Sequence, residues 1–310
     1  MYKVFIDGKE GTTGLQIYDR LNIRDDIELI TLPEEFRKDT DARRECINRA
    51  DISFLCLPDA AAVEAVGFVT NKNTRIIDAS TAHRVDPDWI YGLPEISIER
   101  RRAIATADRV SNPGCYATGF ITLVAPLIRG GILDAEYPFV CHALSGYSGA
   151  GKKGIEQYMN PERDSELQSP RHYALGLKHK HLPEMVNECG LGTAPVFLPI
   201  ICDYYAGMCV CVPIHRSLML KKYNLNAVRD YFAEYYAGQV FIRVVDKMDV
   251  PDYLPANKIV GSNNLEIYVC GNDEQIVLFS VFDNLGKGAS GAAVQNMKFM
   301  LGLDESTSLV

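Results

Sequence analysis

Residues 4–78 alternate short apolar runs with segments of helical character, and this alternation constrains the fold more than any other feature of the chain. Residues 4–6, 27–32, 52–57 and 75–78 read as short buried strands, with helices expected at 13–21, 41–49 and 60–70. Strands joined through helices pair in parallel, so the pattern predicts an α/β, doubly wound sheet. After residue 115 the pattern changes. Residues 139–145, 196–201, 208–214, 240–244, 265–270 and 276–283 are strand-like with few helices between them, which predicts a mixed or antiparallel sheet in a second domain. Helices are expected there at 182–188 and 223–236, and a last amphipathic helix at 290–301. A chain of 310 residues has room for two such domains. Residues 146–178, rich in Gly, Lys, Ser and Pro, read as a long functional loop.

The formal net charge of −8 argues against nonspecific binding to nucleic acid or to an anionic membrane surface. No run approaches the roughly 20 uninterrupted apolar residues of a membrane span. The nine cysteines are scattered, odd in number and lack a CxxC pair, which fits reduced cytoplasmic thiols. Cys209-Val210-Cys211 reads as strand packing with its thiols on opposite faces. Without HExxH or clustered Cys/His spacing, no metal is expected.

Two glycine-rich segments follow strands. Gly8-Lys9-Glu10-Gly11-Thr12-Thr13-Gly14 opens the first helix, where a pyrophosphate can approach the backbone and rest on the helix N-terminus. The spacing is GxxGxxG, so its position carries more weight than its pattern. Near the end of the second strand lie Glu34 and Glu35, which suit a ribose diol, but also Arg37 and Lys38, which suit a 2′-phosphate. By this reasoning NAD and NADP both remain open. Ser145-Gly146-Tyr147-Ser148-Gly149-Ala150-Gly151-Lys152 suits a phosphate or the nicotinamide end of a cofactor.

Cys115 stands in Ser111-Asn112-Pro113-Gly114-Cys115-Tyr116-Ala117-Thr118, after a Pro-Gly breaker and before an apolar run. Ser111 or Asn112 is expected to cap the helix that follows. In the first turn, unpaired amides and the helix dipole favour a thiolate, which makes Cys115 the candidate nucleophile. Lys178-His179-Lys180-His181-Leu182-Pro183-Glu184 offers two histidines, one of them a candidate acid/base partner, with side chains expected to diverge. Asp78-Ala79-Ser80-Thr81-Ala82-His83-Arg84 places hydroxyls and an arginine at a strand's carboxyl end, suited to an anionic substrate.

Ser111–Thr118 resembles the active-site signature of the N-acetyl-gamma-glutamyl-phosphate reductase family. Gly92-Leu93-Pro94-Glu95, the 145–152 loop, the 178–184 stretch and Lys287-Gly288-Ala289-Ser290-Gly291-Ala292-Ala293-Val294-Gln295-Asn296-Met297 carry the same resemblance, in order along the chain. The length resembles the family's shorter branch, and GxxGxxG departs from the loop of the longer forms. The resemblance implies an aspartate-semialdehyde-dehydrogenase-like architecture. Residues 1–115 would bind NADP, rejoined by a helix at 288–310, and 116–287 would catalyse and oligomerise, as a dimer or tetramer. It implies reduction of N-acetyl-glutamyl 5-phosphate to the semialdehyde and phosphate, in arginine biosynthesis. Cys115 would be the nucleophile, with His179 ahead of His181 as acid/base. Gly8, Gly11, Thr12, Thr13, Gly14, Arg37, Lys38, Ser145, Gly146, Ser148, Gly149 and Asn284 would hold the cofactor. Arg84, Ser80, Asn112, Lys180 and Glu184 would hold the substrate. Rival readings are a related reductase acting on aspartyl phosphate or a lysine precursor, a hydrolase, and a non-catalytic nucleotide-binding redox sensor. The hydrolase would have no need of the Gly8–Gly14 loop.

Overall fold

The computed structural model describes residues 1–272, 274–307 and 309. They divide into two compact units, residues 1–114 with 289–310, and residues 115–288. Each unit has its own sheet. No helix among the described residues is long and apolar enough to cross a membrane.

The first unit runs β1 (Tyr2–Asp7), α1 (Thr12–Leu21), β2 (Ile27–Ile30), α2 (Thr40–Arg49), β3 (Ile52–Leu55), α3 (Asp59–Val66), β4 (Arg75–Asp78), β5 (Ile90–Tyr91), α4 (Ile98–Thr106) and β6 (Arg109–Ser111). Its six strands are all parallel, in the order β2-β1-β3-β4-β6-β5. The expected doubly wound sheet is therefore present. The order reverses between β1 and β3, and a crevice opens at the carboxyl ends of such a pair. All four residues of β3 are buried, as a central parallel strand requires. The sequence reading missed α4, β5 and β6. The α4 sequence, IERRRAIAT, has too little amphipathicity to announce a helix, and β5 and β6 span two and three residues. Buried Asp7 and Arg43 pair at 3.0 Å beneath the β1 end.

The second unit runs α5 (Cys115–Arg129), β7 (Val140–Gly146), α6 (Gly151–Met159), β8 (Arg171–His172), α7 (Leu182–Cys189), β9 (Val196–Cys202), β10 (Met208–His215), α8 (Leu225–Tyr235), β11 (Ile242–Val244), β12 (Leu265–Gly271) and β13 (Gln275–Phe282). Its sheet, β11-β12-β13-β10-β7-β9-β8, is mixed, as expected. Segment 146–178 is not a single loop, because it contains α6 and β8. Its glycines and lysines hid the helix, which is anchored instead by buried Tyr158 stacked on Tyr147 at 4.7 Å. Cys209 and Cys211 correct the expected divergence. Cys209 opposes Leu144 and Cys211 opposes His142, so both thiols share one sheet face, as residues two apart in a strand must.

The helix α5 is buried for most of its length and contains Pro126, which has no N–H for the Thr122 carbonyl. Tyr236 donates its hydroxyl to that carbonyl at 2.7 Å. The last helix, α9 (Gly291–Leu301), belongs to the first unit. A π-helical turn, Gly286–Ser290, precedes it, and Gly302 ends it with φ +67°. The helix expected at 290–301 is thus present, while the longer helix expected over 288–310 is, among the described residues, a π turn followed by this eleven-residue helix.

Candidate active site

In the first unit, β1 delivers the chain to Gly8, whose φ is +84°. A Cβ there would stand 2.4 Å from the Cys56 carbonyl oxygen, so only glycine fits against the end of β3. The Gly11 N–H donates to Gly8 O at 3.0 Å. Gly11 then caps α1 with no side-chain partner. The first amides of α1, at Thr12 and Thr13, have no carbonyl partner within the helix and lie at its positive end. A cavity of about 480 Å³ opens here, walled by the Gly8–Gly11 loop, by residues 29–32 at the end of β2, and by residues 56–58 after β3. Arg37 and Lys38 line it, and Thr12 and Thr13 follow directly on the lining residue Gly11. Apolar walls, a glycine loop and cations suit a nucleotide.

Residues Ser80, Arg84 and Asn112 form a second network in this unit. Ser80 donates its N–H and hydroxyl to the Asp78 carboxylate at 2.9 and 2.7 Å. The His83 Nδ1 meets the same carboxylate at 2.6 Å, and its ring stacks on Trp89 at 4.1 Å. Buried Arg84 donates Nε to Asn112 O at 2.9 Å and Nη2 to Ala79 O at 3.1 Å. Asn112 donates Nδ2 to Ala289 O at 3.0 Å. These contacts make Ser80 and Arg84 struts of the turn after β4. Ser111 ends β6, the strand that leads into the Cys115 segment.

In the second unit, Cys115 is the first residue of α5. Gly288 packs so closely that a Cβ on it would lie 2.9 Å from the Cys115 Cβ. The next residue, buried Tyr116, gathers the other groups. Its ring lies 5.6 Å from His179, 5.8 Å from His181, 6.4 Å from Tyr173 and 5.2 Å from Phe197, centroid to centroid. The two histidine rings converge edge-on at 4.7 Å, which corrects the expected divergence. The stretch is a turn into α7, with His181 as its N-cap in helical conformation. The His181 N–H donates to His179 Nδ1 at 3.1 Å, so a neutral His179 carries its proton on Nε2, 3.3 Å from the Tyr173 hydroxyl. His181 and Glu184 are 5% and 1% exposed, with Nε2 and Oε1 4.0 Å apart, whereas His179 is half-buried.

Burial pushes the Tyr116 and Tyr173 hydroxyls up, and a negative charge on Cys115 pushes both further in that direction. Tyr116 also bonds to Tyr173 and Ser145. Near Ser145, Asn284 donates Nδ2 to Ser148 Oγ at 2.9 Å and accepts from the Gly207 N–H at 2.8 Å, which pins the Gly146–Gly149 turn. Lys180 is exposed and outside the cluster. The sequence reading missed Tyr116 and Tyr173 as members of the site. Tyr116 had a signal in its place beside Cys115, while Tyr173 had none. Among the described residues, no group of three or more His, Cys, Asp or Glu could hold a metal ion.

Residues 33–106 match the family model described as semialdehyde dehydrogenase, NAD binding domain, and residues 115–284 the one described as semialdehyde dehydrogenase, dimerisation domain. A Burkholderia ambifaria protein named N-acetyl-gamma-glutamyl-phosphate reductase is 46% identical over 97% of this chain and 96% of its own. The chain belongs to the N-acetyl-gamma-glutamyl-phosphate reductase family. Another member of that family, N-acetyl-gamma-glutamyl-phosphate reductase 2 of Pseudomonas putida, is 45% identical over 96% of each chain. The fold of this family member is that of aspartate semialdehyde dehydrogenase. The Vibrio cholerae enzyme's structure superposes with a TM-score of 0.71 at 16% identity, covering 97% of this chain and 98% of its own. The Candida albicans enzyme with NADP gives 0.67 at 14% identity, covering 97% and 98%. The resemblance read from the Ser111–Thr118 motif is therefore correct as to family and fold, and a nicotinamide cofactor follows from the NAD-binding match.

Proposed function

We propose that this protein reduces N-acetyl-glutamyl 5-phosphate to N-acetyl-glutamate 5-semialdehyde with release of phosphate, using NADPH and a thioester on Cys115, in arginine biosynthesis. The observation that carries this reading is Cys115 at a helix start, beside a tyrosine and histidine cluster, in a member of this family. The Cys115 sulfur attacks the acyl carbon, the carbon–oxygen bond to phosphate breaks, and a thioester forms. A nicotinamide cofactor, when bound, supplies the two electrons that reduce it. His179 gives a proton to the oxygen of the resulting thiohemiacetal and takes it back as the carbon–sulfur bond breaks, freeing aldehyde and thiolate. His181, held near Glu184 and against the His179 ring, positions it. Gly8, Gly11 and the amides of Thr12 and Thr13 take the pyrophosphate, and Arg37 and Lys38 favour NADP over NAD. Ser145, Gly146, Ser148, Gly149 and Asn284 shape the second glycine turn for the nicotinamide end.

The unit of residues 115–288 is proposed to make a homo-oligomer. By strand register Val140, Val196, His142, Leu198, Cys211 and Phe279 share one sheet face. All are at least partly exposed, Val196 to 45%. A second copy of the chain would cover this face, and light scattering would measure the assembly.

The deciding experiment runs the reaction backwards. NADPH formation from the semialdehyde should require phosphate and saturate with it, and arsenate should substitute. Sustained turnover without either anion would mean that water resolves the thioester, and this reading would be abandoned.

A further inference from the structure

The cavity of the first unit carries a cation that the sequence reading passed over. Lys9 lies inside the glycine loop, half-buried, with Nζ 3.4 Å from the centroid of the Tyr18 ring. Both residues line the cavity. Among the described residues, no carboxylate lies within 4.0 Å of the Lys9 ammonium.

The other charges in the wall are differently placed. Asp7 is paired with Arg43 at 3.0 Å. Arg37 is exposed and paired with Glu34 at 2.9 Å, so its charge is partly compensated. Lys38 is exposed. The end of β2, where a carboxylate would chelate the ribose diol of NAD, presents Thr31 and Leu32 instead. The first carboxylate after that strand is Glu34, held by Arg37.

A dianion entering between the glycine loop and the end of β2 therefore meets one cation that is both fixed in place and not neutralised. An aromatic face restrains an ammonium without consuming its N–H donors. We propose that Lys9 is the residue that reads the 2′-phosphate of NADP, with Tyr18 as its positioning residue and Arg37 and Lys38 in a lesser role. This inference rests on the reading of the cavity as an NADP site and deepens it.

The test is equilibrium binding, without turnover. Titration calorimetry would use 2′,5′-ADP, 5′-AMP, NADP and NAD on the wild type, Lys9→Met, Lys9→Arg, Tyr18→Leu, Tyr18→Phe and the Arg37→Gln/Lys38→Gln double variant. Loss of one charge-assisted contact should weaken 2′,5′-ADP and NADP roughly 10- to 100-fold in Lys9→Met, with 5′-AMP and NAD unchanged. Lys9→Arg should keep the preference. Tyr18→Leu should lose part of it, and Tyr18→Phe should keep it. Equal weakening of NAD and NADP in Lys9→Met would assign Lys9 to the pyrophosphate and overturn the proposal. So would an intact preference in Lys9→Met beside a lost one in the double variant. A wild type that binds NAD as tightly as NADP would overturn the NADP reading itself, a result visible before any variant is made.

Discussion

Burial pushes eight of the nine cysteine thiols up, Cys211 to about 11 and both Cys56 and Cys209 to about 12. The ninth, Cys115, stands at a helix start, where a thiolate is favoured. Iodoacetamide at neutral pH should therefore modify Cys115 first, read by peptide mass spectrometry. Cys115→Ala should abolish turnover and keep NADPH binding, and substantial activity in that variant would refute its role as nucleophile. His179→Ala should lose about 10²–10⁴-fold in rate. A smaller loss is expected in His181→Ala, which acts through the neighbouring ring, and the reverse order of rate losses would exchange the two roles. The candidate residues Cys115, His179 and His181 were legible because each lies in a short run with its own signal. Tyr173 was not, because the turn that brings its hydroxyl to His179 leaves no local pattern.

At the scale of elements, two helices carry costs, and in one of them a neighbour offsets it. Pro126 leaves the Thr122 carbonyl in α5 without its helical donor, and Tyr236 supplies one. Tyr236→Phe should leave that buried acceptor unpaired and cost about 1–3 kcal/mol in urea unfolding. In α9, burial, followed by the repulsion of Arg24, lowers the Lys298 ammonium from 10.5 to about 8. Below pH 8 both folded and unfolded states hold this proton, and the cost of burying the charge is borne in full. Between about 8 and 10.5 the folded state has released it while the unfolded state keeps it, so stability rises with pH. Compared with Lys298→Met, the wild type should gain melting temperature over that window, and parallel profiles would disprove the linkage. Strands and helices with strong period were visible in the sequence. The helix α6 was not, since glycine and lysine conceal what the Tyr158–Tyr147 stack holds in place.

At the scale of the whole molecule, the first unit is built from both ends of the chain. Asn296 donates to Gly92 O at 2.9 Å, and Gln295 donates to buried Glu95 at 2.9 Å and to Glu305 at 3.2 Å. A chain ending at residue 288 should therefore fail to form the first unit. Circular dichroism and NADP binding would read this, and retained NADP affinity would argue otherwise. The sequence by itself determined the parallel and mixed sheets, the glycine loop, the Ser111–Thr118 motif and the family, because each rests on residues close together in the chain. Tertiary structure alone decided that Ser80 and Arg84 brace a turn, that His179 and His181 converge, that Tyr173 joins them, and that Lys9 faces a cavity. Those facts depend on which distant segments meet, and neither periodicity nor spacing encodes the meeting of side chains far apart along the chain.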